Sequence, residues 1–112
     1  MKISQRQVND VNILEPKGKV TIGAGDVMLR DAIEAATKSG KSKLLVDLHG
    51  VSKMDSSGLG ELVAAHNSVT GSGGTIRLMK LPSKLYNVMG ITQIVSVFDV
   101  FDDEQEAINS FH

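Results

Sequence analysis

The stretch from Asp55 to Gly60 contains the residues of this chain whose types and spacing could do chemistry. It reads Asp-Ser-Ser-Gly-Leu-Gly, so a carboxylate precedes two adjacent hydroxyls and two glycines. A short apolar run comes before it and an amphipathic pattern follows, which predicts a junction of strand, loop and helix. The free N–H groups at a helix start can hold an anion, and glycine permits close backbone approach. We therefore expect a site at a helix N-terminus that can accommodate negative charge.

Helix capping is the simplest structural explanation of the same residues. Asp55, Ser56 or Ser57 can each accept hydrogen bonds from the first N–H groups of the helix. Capping does not explain Gly58 and Gly60, because each glycine lowers helix propensity by up to about 1 kcal/mol. The glycines indicate a surface that has to stay bare.

Enzyme catalysis is a weaker hypothesis for this stretch. The sequence lacks Gly-x-Ser-x-Gly, and a carboxylate beside a serine does not activate it as a histidine base would. His66 falls on an apolar helical stripe and His112 is terminal, so only His49 could approach the junction. No His, Asp or Glu spacing resembles a metal-ligand set, and the chain has no cysteine. We expect no catalytic residue, no metal and no cofactor.

Phosphorylation is the chemistry that suits a serine at a helix start. A phosphate adds about −1.5 to −2 charge, which the helix dipole and the free N–H groups tolerate at low cost to the fold. A partner that docks on this face would meet new bulk and repulsion. Binding could therefore be switched off without unfolding the domain.

Composition narrows the class of protein further. The 112 residues are enough for one domain, 1–112, and 41% are hydrophobic, which supplies one core. A net charge of −1, with no Trp, one Tyr and three Phe, does not favour nucleic-acid binding. The N-terminus lacks the apolar run of a signal peptide, and no stretch is apolar enough for a membrane span. We expect a cytoplasmic protein without membrane or nucleic-acid partners.

Hydrophobic periodicity predicts alternating helices and strands after an initial hairpin. The hairpin covers 3–15 and turns at Asn9-Asp10, and its second strand continues irregularly past Pro16 and Gly18, as an edge strand would, towards Ile22. The further predicted elements are a helix from an Asp26 cap to Gly40, a central strand 44–48, a helix that ends at Gly71, a strand 75–79, a short helix from Pro82 to Gly90 carrying Leu85, Val88 and Met89, a strand 94–98, and a final helix capped by Asp103. The fold class is α/β, with a mixed, mostly parallel sheet of about five strands and about four helices.

At Asp55–Gly60 the sequence resembles the STAS superfamily, specifically the small anti-sigma-factor antagonists, which share Asp-Ser-Ser/Thr-Gly-Leu-Gly here. Gly18-Lys19-Val20, the 44–48 strand, the Gly73-Gly74 turn and Met89-Gly90-Ile91 extend the similarity over nearly the whole chain. The resemblance implies a bacterial partner-switching role. In that role the unphosphorylated protein binds an ATP-dependent anti-sigma factor serine kinase and frees the sigma factor, phosphorylation ends the interaction, and a serine phosphatase restores it.

Carried over by position, the resemblance makes Ser56 the phosphoacceptor, with Asp55 shaping its loop and Ser57 a neighbouring hydroxyl. Gly58, Leu59 and Gly60 would keep the partner-binding surface flat. Two positions depart from the family: Thr21 stands where many antagonists have an acidic residue, and Lys53 where an apolar residue is common. These departures bear on the choice of partner.

Other roles stay open at this point. The chain could be a scaffold subunit of a larger STAS stress-signalling complex, or a regulator of another phosphorylation pathway, and a weak homodimer fits the sequence too. Gly23-Ala24-Gly25 is similar to half of a dinucleotide fingerprint but lacks its third glycine. A nucleotide-binding domain is therefore a further alternative.

Overall fold

The computed structural model describes residues 1–85 and 96–112, which form one mixed sheet covered by helices. Its strands are β1 (Lys2–Val8), β2 (Val11–Val20), β3 (Lys43–Asp47), β4 (Val51–Met54), β5 (Thr75–Met79) and β6 (Val100–Phe101). Its helices are α1 (Gly25–Lys38), α2 (Ser56–Gly71) and α3 (Glu104–Asn109). The predicted α/β class and the mostly parallel sheet are confirmed.

The strand order is β1-β2-β3-β5-β6, and β4 pairs with β2 outside this path. Only the β1–β2 hairpin is antiparallel among the described pairs, and it turns at Asn9, whose φ of 55° a two-residue turn requires. Strand β3 lies between β2 and β5 and is parallel to both. The prediction of a central strand at 44–48 is confirmed, and so is the parallel crossover through α2.

Strand β2 changes partner along its length, which no local pattern in the sequence indicates. Residues up to Leu14 are in register with β3, and residues from Gly18 onward are in register with β4. Pro16 lies between the two registered segments, where its missing N–H interrupts neither parallel ladder. From Pro16 onward β2 has a registered partner on one side only, β1 up to Lys17 and β4 from Gly18, which fits the predicted irregular edge position of this segment.

Both faces of the sheet are packed. On one face α1 and α2 contribute Leu29, Ile33, Leu62 and Val69 to a core that includes Leu44 and Val46. On the other face α3 packs Ala107 and Ile108 against a smaller cluster of Val11, Ile13, Leu45 and Met79. Alternate residues of β3 therefore enter opposite cores, which explains why its sequence is apolar throughout.

Several predicted boundaries are confirmed and others are wrong. Asp103 caps α3 by accepting from the backbone N–H of Glu106, as predicted. Helix α1 begins at Gly25 after Ala24, and the predicted cap, Asp26, lies inside the first turn, because the first helical hydrogen bond runs from the N–H of Met28 to the carbonyl of Ala24.

The predicted helix that starts at Pro82 is helical at 83–85, and the rest of it, with Val88, Met89 and Gly90, lies outside the described residues. The predicted strand at 94–98 lies partly outside them. Residues 96 and 97 are helical, and the strand in this region is β6, in register with the end of β5.

Candidate functional site

Asp55 joins three elements at one end of the sheet. It follows β4 directly and is the N-cap of α2, where its Oδ1 accepts from the backbone N–H of Gly58 at 3.0 Å. Its Oδ2 accepts from the backbone N–H of Ile22, in the loop between β2 and α1, at 2.9 Å. These two backbone donors, Ile22 first, lower the pKa of Asp55 below its ordinary value. The carboxylate therefore stays ionised and ties the loop to the helix start.

Ser56 is the first residue of α2 and is exposed, whereas Ser57 is half-buried. The Ser56 hydroxyl makes no hydrogen bond to the described part of the chain. It borders a shallow depression on α2 that Gly60, Val63, Ala64 and Asn67 also line. Of the two adjacent serines, Ser56 is thus the one a modifying enzyme or a partner can reach more easily.

The two glycines of this stretch, Gly58 and Gly60, have different surroundings. A Cβ at Gly58 would lie 2.2 Å from the carbonyl oxygen of Val20, so only glycine lets α2 begin this close to β2. A Cβ at Gly60 would meet nothing within 4 Å. Gly58 and Leu59 are buried and Gly60 is exposed, and Leu59 and Gly60 both line the depression beside Ser56.

The loop from Thr21 to Ala24 borders Asp55 and is held by its backbone. Gly23 has a φ of +110°, which glycine adopts readily. A Cβ at Gly25 would lie 2.0 Å from the carbonyl oxygen of Lys19, so this glycine is also required for close packing. The Gly23-Ala24-Gly25 pattern is thus accounted for by the chain's own backbone, without a nucleotide.

The structure places Ile22 at this site, a residue that the sequence analysis did not select. Thr21 beside it is half-buried, and Ile22 is 74% exposed. The available signal was a large apolar residue placed between the end of a strand and a glycine. Lys53 is exposed on β4 and in register with Lys19 on β2, so its charge lies in solvent.

None of the three histidines is placed to act as a base for Ser56. His49 precedes β4, so that four-residue strand, roughly 13 Å long, separates it from Asp55. His66 lies ten positions along α2, roughly 15 Å from Ser56, with its ring against Phe98 at 5.3 Å. His112 pairs with Asp10 at the hairpin turn. A serine-histidine pair is therefore not assembled at this site.

Residues 1–85 and 96–112 contain no group of three or more His, Cys, Asp or Glu side chains arranged to hold a metal ion. Across the same residues, no helix combines the length and the apolar character that crossing a membrane would need.

The family model of the STAS domain matches residues 2–107. The chain belongs to the STAS domain family. The Asp-Ser-Ser-Gly-Leu-Gly stretch, from which the resemblance was inferred, lies within the matched residues. Among curated relatives of this STAS domain, a Thermotoga maritima protein that carries the provisional name anti-sigma factor antagonist is 27% identical over 101 residues, which are 90% of this chain and 89% of that protein. A Thermotoga neapolitana homologue with the same provisional name is 28% identical over the same shares.

Solved structures share the fold of this STAS domain. The crystal structure of TM1081 from Thermotoga maritima has a TM-score of 0.87 at 24% identity and covers 97% of this chain and 93% of its own. The anti-sigma factor antagonist SpoIIAA matches in its unphosphorylated form with a TM-score of 0.71, at 18% identity over 97% of this chain and 96% of its own. Its phosphorylated form, from Bacillus, matches with a TM-score of 0.74, at 18% identity over 99% of this chain and 100% of its own.

Proposed function

We propose that this STAS domain is an anti-sigma-factor antagonist whose partner binding is controlled by phosphorylation of Ser56. The unphosphorylated form binds an ATP-dependent anti-sigma factor serine kinase in the cytoplasm and so frees the sigma factor. Phosphate on Ser56 ends this binding, and a serine phosphatase restores it. The observation that carries the proposal is an exposed serine at the first position of α2, directly after the capping Asp55.

The position of Ser56 lets a phosphate be added at low cost to the fold. Its side chain is exposed and its hydroxyl has no partner among the described residues, so modification breaks no described contact. The N-terminal end of the 16-residue α2 carries partial positive charge, which favours an anion there. The cap that holds the helix start is made by Asp55, so it does not depend on the Ser56 hydroxyl.

The same phosphate would change the surface that a partner meets. It adds about −1.5 to −2 charge, which exceeds in magnitude the −1 of the whole chain. It would stand beside Gly60, where the helix surface has no side chain to shield a docked partner. Bulk and charge together would therefore oppose binding while the domain stays folded.

The direct test is a differential capture from the native cytoplasm, with Ser56→Ala and Ser56→Asp as baits. Ser56→Ala should retain a kinase that Ser56→Asp releases, and the purified kinase with ATP should add one phosphate to Ser56 of the unaltered chain. Ser57→Ala is the matched control for losing a hydroxyl, and Ser52→Asp, on the exposed face of β4, is the control for adding a charge. Identical capture by both baits, or a phosphate found elsewhere, would contradict the proposal.

A further inference from the structure

Exposed apolar side chains are concentrated beside the proposed phosphorylation site. Among the described residues, four large hydrophobic side chains are exposed, and three of them lie between positions 22 and 28. Ile22 is 74% exposed, Val27 37% and Met28 39%. Of these three, Ile22 is fixed beside the residue before Ser56, because its N–H is bonded to Asp55. Three exposed apolar side chains within seven positions, one of them tied to the site, make this segment a candidate interaction surface.

The backbone, and not side-chain packing, keeps Ile22 in this exposed place. Asp55 holds its N–H at 2.9 Å, and the N–H of Asp26 bonds to the carbonyl of Thr21 at 3.1 Å across the loop. Gly23 and Gly25 supply the backbone geometry that the turn needs. The loop is therefore ordered before any partner arrives, which lowers the entropy that binding would cost.

The loop also has no charge with which to recognise a partner. Positions 20–25 hold no Asp, Glu, Lys or Arg, and Asp26 is buried. Thr21 cannot form the ion pair with a partner protein that an acidic residue at this position would allow. Recognition at this edge of the site can draw on apolar packing, backbone groups and the Thr21 hydroxyl, but not on charge.

We propose that Ile22 is a specificity-determining contact, and that the anti-sigma factor kinase controlled by Ser56 presents an uncharged apolar pocket to it. Asp55 is the positioning residue that presents Ile22 to that pocket. This inference rests on the proposed function and specifies the chemistry of its partner. It separates this chain from antagonists that carry an acidic residue at the position of Thr21.

The test measures the affinity of the kinase that the Ser56→Ala bait retains, for variants at position 22 in the otherwise unaltered chain. Ile22→Val keeps an apolar contact and should bind within a few-fold of the unaltered chain. Ile22→Ser should bind about ten- to hundredfold more weakly, the loss expected for removing a buried isoleucine side chain. Ile22→Lys should bind more weakly still, because a charge would enter an apolar pocket. The side chain is exposed, so all three variants should unfold at nearly the same temperature.

The positioning role of Asp55 has its own readout in the free domain. Asp55→Asn should speed amide hydrogen exchange at Ile22, whereas Ser52→Asp should not. Equal affinity of Ile22→Ser and the unaltered chain, or tighter binding of Ile22→Lys, would overturn the specificity role while leaving the Ser56 switch in place. Unchanged exchange at Ile22 in Asp55→Asn would overturn the positioning role. If no captured kinase binds Ser56→Ala in preference to Ser56→Asp, the proposed function itself would be overturned, and the partner inference with it.

Discussion

Gly58 and Gly60 lie two residues apart in α2, and replacing each by alanine should change stability in opposite directions. In a helix interior, alanine is more favourable than glycine by about 1 kcal/mol. Gly60→Ala should gain most of this amount, because its new Cβ meets nothing within 4 Å. The same intrinsic gain applies at Gly58, where the surroundings oppose it.

The new Cβ of Gly58→Ala would lie 2.2 Å from the carbonyl oxygen of Val20 and 2.9 Å from Cγ of Met54. The side chain of Met54 can move, but the carbonyl belongs to β2 and can move only with the strand. Relief therefore requires the start of α2 to shift away from the sheet, and overpacking of this kind costs about 1–3 kcal/mol. Because the intrinsic gain is common to both variants, they should differ in stability by the overpacking cost, about 1–3 kcal/mol.

Urea unfolding followed by circular dichroism measures both changes, and thermal unfolding provides a second measure. For a domain of this size the difference corresponds to melting temperatures about 10 °C apart, with Gly60→Ala above the unaltered chain and Gly58→Ala below it. The two variants share the same substitution in one helix, so intrinsic propensity largely cancels between them. Equal stability of the two, or a Gly58→Ala variant more stable than the unaltered chain, would refute the assignment of Gly58 to close packing.

Three further predictions test the cap, the switch and the second core. Asp55→Asn should lower stability at neutral pH, as measured by urea unfolding. Because the folded pKa of Asp55 is depressed, the difference in stability between this variant and the unaltered chain should shrink as the pH falls below 3.8. Ser56→Asp should unfold cooperatively within about 1 kcal/mol of the unaltered chain, since an anion at a helix start is favourable, and a broadened thermal transition would count against the low cost of phosphate. Ile108→Ala should lose about 2–4 kcal/mol in urea unfolding, because Ile108 is 2% exposed in the core under α3, and a loss below about 1 kcal/mol would show that α3 contributes little.

Much of this fold could be predicted because periodicity and burial agree along most of the chain. The apolar run of β3 predicts a strand that is covered on both faces, and the structure places its side chains in two cores. Strand β4 was missed because only Val51 and Met54 are buried, with two exposed residues between them, which is neither alternation nor an apolar run. It forms because β2 continues past Gly18, where its backbone needs a hydrogen-bonding partner strand. This requirement depends on the tertiary fold and cannot be read from the local sequence.

The candidate site was predictable in its residue types but not in its connections. The order Asp-Ser-Ser-Gly predicts a cap followed by a hydroxyl at a helix start, and the structure assigns the cap to Asp55. The second hydrogen bond of Asp55 joins it to Ile22, which is 33 residues away, so no local pattern could indicate it. The separate reasons for Gly58 and Gly60 also depend on where the end of β2 lies relative to α2.

The near-neutral charge of the chain and the uncharged loop at 20–25 favour one kind of switch. Apolar contacts such as Ile22 can supply affinity that depends weakly on salt, and they carry no information about phosphorylation state. Ser56 can supply that information, because about −1.5 to −2 added charge meets no opposing charge from the loop beside it. Affinity and control would then come from neighbouring but separate residues, joined through Asp55. Ile22→Ser should accordingly weaken binding of the unphosphorylated chain, while the ratio of affinities between Ser56→Ala and Ser56→Asp should be the same in both backgrounds. A ratio that collapsed in the Ile22→Ser background would show that the phosphate acts through the apolar contact itself.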